Sequence, residues 1–98
     1  MIGKKFDNIW FALENGEADA INMTMRSDLM TSIEKTVAGW NLPQSEAAKR
    51  LGITRPRLND LLRGKISKFS LDALTAIACR AGLTVKLSVK MAMPKRVA

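Results

Sequence analysis

A chain of 98 residues with 47% apolar side chains makes one domain with a modest core, and no apolar run in it approaches the roughly 20 residues of a membrane span. One cysteine and no histidine exclude an internal disulfide, leave a zinc site without a ligand set and remove the usual activator of a nucleophile. The formal charge of +7 is uneven: residues 1–34 hold three basic and six acidic side chains and residues 35–98 thirteen basic and three acidic, which suits a nucleic-acid face in the second part and another task for the first.

The N-terminus lacks the apolar stretch and small-residue cleavage site of a signal peptide, so a cytoplasmic protein is expected. Phe6, Ile9, Trp10 and Leu13 fall at helical spacing and predict a short amphipathic helix that Gly16 breaks. Residues 18–25 fit either a second short helix or an irregular arm, so residues 1–25 form an N-terminal arm. Trp10, with Phe6 and Phe11, either folds back on the core or anchors a partner. Ser27 is a good N-cap, Asp28 suits the positive helix end, and Leu29, Met30, Ile33 and Val37 line one face up to Gly39, with Trp40 anchoring the bend that follows.

From Gln44 to Arg63 the pattern is two short helices joined by a glycine turn. Ala47, Ala48 and Leu51 form an apolar stripe, Gly52 sits at the turn and Ile53 plugs the corner. Thr54 caps the second helix, Pro56 falls in its first turn where a missing N–H costs little, and Leu58, Leu61 and Leu62 form its buried side. Its other side carries Arg55, Arg57, Asn59, Asp60 and Arg63. Lys65 and Lys68 follow in the connection, Ser70 caps a fourth core helix with Asp72 in its first turn, and Leu71, Leu74, Ile77 and Ala78 face inward up to Gly82. Cys79 is expected in that core. Beyond it Val85, Leu87, Val89 and Met91 alternate with polar residues, the pattern of a half-buried strand.

A lone strand leaves edge groups unpaired. The expected solution is the same strand from a second copy, antiparallel across a two-fold axis, with a strand from the N-terminal arm as the competing answer. The domains are then 1–25, the arm; 26–82, the helical domain; and 83–98, the dimerising strand and basic tail.

A two-helix reader places the start of its second helix deepest in the major groove of double-stranded DNA. Arg55 and Asn59 therefore serve as base readers, with Thr54 and Pro56 at the same helix start. Arg57 and Arg63 reach phosphates, and Asp60 either accepts from a cytosine amino group or orients an arginine. Gln44 and Ser45 open the preceding helix, whose free N–H groups attract a phosphate, and Lys65 and Lys68 clamp the backbone. No metal or cofactor is expected, and scattered carboxylates give no reason to expect an enzyme.

Arg26-Ser-Asp-Leu-Met30, Gln44-Ser-Glu-Ala-Ala48, Leu51-Gly-Ile-Thr-Arg-Pro-Arg57, Asp60-Leu-Leu-Arg-Gly-Lys65 and Phe69-Ser-Leu-Asp-Ala-Leu74 resemble the Xre, lambda-repressor-like helix-turn-helix family, most of all HigA-type antitoxins. The resemblance implies a mainly α bundle and a homodimeric repressor that binds a palindromic operator at its own promoter and neutralises a RelE-like toxin. A stand-alone phage-type regulator without a toxin is the alternative. Pro43 departs from the family, whose threonine at that position completes a capping box; here Asn41 or the backbone must substitute, which weakens the case for a phosphate contact at Gln44.

Overall fold

The computed structural model describes the backbone of residues 4–91 and the side chains of residues 16–91. The first element, α1 (Lys4–Trp40), is one unbroken helix of 37 residues. This corrects the expected break at Gly16 and the expected N-cap at Ser27, both of which lie inside the helix. A glycine in a helix interior costs about 1 kcal/mol, less than ending one helix and nucleating another. Here it is flanked by the good helix formers Ala12, Leu13, Glu14, Glu17 and Ala18. The Ser27 carbonyl accepts from the Thr31 hydroxyl at 3.0 Å, as those of Ala20 and Ser32 do from Thr24 and Thr36, so these hydroxyls are absorbed by their own helix. Because Lys4 onward is helical, pairing of the C-terminal segment with an N-terminal strand is excluded. The side chains of Phe6, Trp10 and Phe11 lie outside the described residues.

The helix ends at Asn41, whose φ of 53° places it in the left-handed region. Half-buried Trp40 packs against the core there, and the Arg50 guanidinium lies 4.5 Å from its ring centroid, fixing the next helix to the end of α1. That helix, α2 (Gln44–Leu51), starts from Pro43 with no side-chain cap; the Pro43 carbonyl accepts from Glu46 and Ala47 N–H, each at 3.0 Å. It closes through Gly52 at φ 72°. Gly52 N–H donates to the Lys49 carbonyl and Ile53 N–H to that of Ala48, the paired bonds of a Schellman turn.

Thr54 caps α3 (Arg55–Leu62), accepting from Arg57 N–H at 3.2 Å, with Pro56 in the first turn. A short 3₁₀ turn, Ile66–Lys68, leads to α4 (Leu71–Arg80), which Ser70 caps by accepting from Ala73 N–H at 3.0 Å. Leu51, Leu58, Leu61, Ile33, Phe69 and Leu74 are fully enclosed, joined by Met30, Ala47, Ala48, Ile77 and Ala78. Each large side chain of this set contributes about 1.5–3 kcal/mol by leaving water. The alanines of α2 let it approach α3 and α4 closely. α1 packs chiefly on α4, so its C-terminal half is an integral wall of the bundle.

Two further expectations change. Cys79 is exposed: α4 buries Leu74, Ile77 and Ala78, and position 79 lies about 140° round the helix from Leu74, outside that stripe. Residues 83–91 form no strand. Val85, Leu87, Val89 and Met91 are 47, 76, 81 and 91% exposed, because the described chain offers this segment no ladder partner. Residues 92–98 of the expected basic tail lie outside the described residues.

Candidate nucleic-acid interface

Capping by Thr54 and burial of Leu58 and Leu61 turn the opposite face of α3 outward. Arg55, Pro56, Asn59 and Arg63 are all exposed, and Arg55, Asn59 and Arg63 recur every four residues along one line of the helix. Thr54 is exposed at its start. At the neighbouring helix end, Ser45 is exposed and Gln44 half-buried; α2 begins there on a backbone cap, which leaves the expected Gln44 contact without the side-chain support of a capping box.

Arg57 is turned inward. Its guanidinium lies 4.2 Å from the Phe69 ring centroid and its Nη1 donates to the Lys68 carbonyl at 3.0 Å. The sequence assigns this side chain to phosphate, whereas the structure commits its charge to the turn after α3. A cation over a buried aromatic face that also satisfies a carbonyl gains two interactions at one side-chain conformation.

That turn is held from a second direction by Arg26, which sequence reasoning missed. Its Nε donates to Asn22 Oδ1 at 2.7 Å, and its Nη1 reaches 40 and 43 residues along the chain to the carbonyls of Ile66 (3.1 Å) and Phe69 (3.2 Å). The available signal was a lone arginine, with an asparagine four residues before it, in an otherwise acidic segment. A third hold comes from α3. Asp60 Oδ1 stands 3.5 Å from Lys65 Nζ and Asp60 Oδ2 3.8 Å from Lys68 Nζ, with both lysines about half exposed. Asp60 thus orients two lysines, where the sequence suggests an arginine.

The exposed line of Arg55, Asn59 and Arg63 thus runs along α3 into a lysine-bearing turn that Arg26 and Arg57 brace. Such a surface offers forked donors for base edges and flanking ammonium groups for phosphates. Among the described residues no group of three or more metal-ligating side chains is assembled, and no helix is long and apolar enough to cross a membrane. A family model described as a helix-turn-helix domain matches residues 12–90. No curated protein matches the chain.

Proposed function

The chain belongs to the helix-turn-helix domain family that matches it over residues 12–90, and from that premise we propose that it is a sequence-specific transcriptional repressor of Xre type that binds double-stranded DNA in the cytoplasm. The observation that carries this reading is the free outer line of α3. Arg55 and Asn59 are exposed, one turn apart, and their side chains make no hydrogen bond or ion pair among the described residues, at the helix start that enters the major groove. Arg55 reads guanine, Asn59 reads adenine, and Thr54, Pro56, Ser45 and Gln44 line the same entrance. Arg63, Lys65 and Lys68 hold phosphates. Its activity is binding, without catalysis or a cofactor.

The repressor works as a homodimer on a palindromic operator. Four alternating apolar side chains, Val85, Leu87, Val89 and Met91, stand in water in the single chain, and pairing with the same segment of a second copy satisfies one backbone edge and sets the two apolar rows side by side. The expected half-sites lie about one DNA turn apart. Selection of bound duplexes from a random pool tests binding, symmetry and spacing together; recovery of no enriched sequence overturns the reading.

We further propose that it is an antitoxin that regulates its own operon and neutralises a RelE-like toxin. The support is the acidic excess of residues 1–34 and the exposure of Ile21 and Met23 on α1, a surface suited to a basic ribonuclease. Removal of residues 1–24 is expected to abolish neutralisation and spare DNA binding. A stand-alone phage-type regulator is the alternative; a neighbouring gene that encodes a toxin would decide for the antitoxin, and one that does not would favour the regulator.

A further inference from the structure

Asp60 lies on the reading helix beside the phosphate-holding lysines, where a carboxylate is electrostatically unwelcome to DNA. We propose that Asp60 is a specificity-determining residue acting by exchange: in the free protein its two oxygens hold Lys65 and Lys68, and on the correct sequence a cytosine amino group takes their place. This inference rests on the DNA-binding reading above.

Three observations carry it. The contacts are one per oxygen, Oδ1 with Lys65 at 3.5 Å and Oδ2 with Lys68 at 3.8 Å, both longer than a well-formed charged hydrogen bond of roughly 2.7–2.9 Å, so they orient the lysines without locking them. The backbone of the turn is fixed independently by Arg26 on Ile66 and Phe69 and by Arg57 on Lys68, so releasing the lysines from Asp60 does not release the turn. Asp60 also lies one residue beyond Asn59 on α3, its side chain about one-quarter exposed, at the margin of the reading face.

The consequence follows from charge. Contact with any duplex draws Lys65 and Lys68 to phosphates and strands the Asp60 carboxylate next to negative charge. On non-cognate DNA that cost stays uncompensated, and non-specific binding depends almost wholly on such lysines. On the cognate site the N4 amino group of cytosine, a major-groove donor that a carboxylate matches, restores a partner. Asp60 thus penalises wrong sequences more than the right one.

The test compares wild type and Asp60→Asn on a pool-selected duplex and on a random-sequence duplex of equal length, across a salt series. The variant is expected to bind random DNA roughly three- to tenfold more tightly at low salt, with the slope of log K against log salt steeper by about one. Its preference for the selected duplex is expected to fall by a factor of about three or more, with loss of a cytosine preference at one position per half-site. In a Lys65→Gln/Lys68→Gln background the gain on random DNA shrinks to the part that direct carboxylate–phosphate repulsion supplies. Equal tightening on both duplexes, or a gain undiminished by removal of the lysines, overturns the exchange. Failure of wild type to prefer any sequence instead overturns the DNA-reading proposal. If Asp60→Asn loses its fold, Asp60→Ser carries the same comparison.

Discussion

Arg57 stacks on Phe69, its guanidinium carbon 4.2 Å from the ring centroid, and binds the Lys68 carbonyl at 3.0 Å, so a charge on α3 is spent on the architecture of the turn that follows it. Arg57→Ala removes the cation over the ring and leaves the carbonyl to water. The expected loss of stability is about 1–2 kcal/mol, combining a partly exposed cation–π contact with one charged hydrogen bond. Urea unfolding measures it. A simple phosphate contact at Arg57 would instead leave stability unchanged and lower the salt slope of DNA binding by about one.

Arg26 gives a complementary prediction from the far side. Arg26→Met keeps much of the aliphatic stem on α1 but, among the described residues, takes the only donor from the Phe69 carbonyl and one of two from that of Ile66, which keeps Phe69 N–H at 3.2 Å. Stability is expected to fall by about 1–3 kcal/mol, the cost of leaving a partly buried acceptor unmet. Affinity for selected and random duplexes should fall by the same factor, because in the proposed interface the displaced turn carries phosphate contacts and no base reader. Arg26→Lys, with a single point charge, restores only part of either loss. A change in sequence preference would show that Arg26 acts through α3.

Gly52 makes the turn between α2 and α3 at φ 72°, where any side chain is strained. A Cβ there would lie 3.1 Å from Arg80 Cδ, while Arg80 Nη1 donates to the Leu51 carbonyl at 3.3 Å. The Arg80 side chain can shift by a few tenths of an ångström; the backbone angle cannot. Gly52→Ala is therefore expected to cost about 1–2 kcal/mol, almost all from the left-handed conformation. Restoring Gly52→Ala by adding Arg80→Ala should fail, and a full rescue would assign the cost to the contact instead.

Much of this arrangement is legible in the sequence where the signal is local. Thr54 and Ser70 cap the helices they precede, Ala47, Ala48 and Leu51 form a buried stripe, and the glycine of the turn stands at the expected position. Local signals fail where their meaning depends on what lies beyond. A serine favours an N-cap only if the helix starts there, and Ser27 lies within α1. The inward commitment of Arg57 depends on Phe69, twelve positions away, and that of Arg26 on carbonyls 40 and 43 positions away, which no periodicity reveals. The alternation from Val85 to Met91 is plain in the sequence, but a strand is a relation between two segments, and the described chain provides one.

Across α3 and the turn after it, the proposed division of labour separates two variants. Arg55→Ala is expected to cost about 1–3 kcal/mol on the selected duplex and relax preference at its position, with little change on random DNA. Lys65→Ala should weaken both duplexes nearly uniformly and reduce the salt slope by about one, the mark of a phosphate contact. Competition binding at several salt concentrations measures both. An Arg55→Ala protein that keeps its full sequence preference removes Arg55 from base reading.

The exposed row Val85, Leu87, Val89 and Met91 ties oligomeric state to DNA affinity. Leu87→Pro removes one backbone donor and forces a φ near −65°, which a central ladder position does not tolerate. In the proposed strand-paired dimer this shifts the protein to monomer at micromolar concentration, as sedimentation equilibrium would measure. The helical core is expected to keep its stability, because residue 87 touches none of it and is 76% exposed. A monomer presents one α3 to a two-half-site operator and loses the gain of simultaneous engagement, so affinity for a palindrome should fall by about 100-fold while affinity for a single half-site stays unchanged. A Leu87→Pro protein that remains dimeric rules out pairing through this segment and moves the two-fold contact to another face.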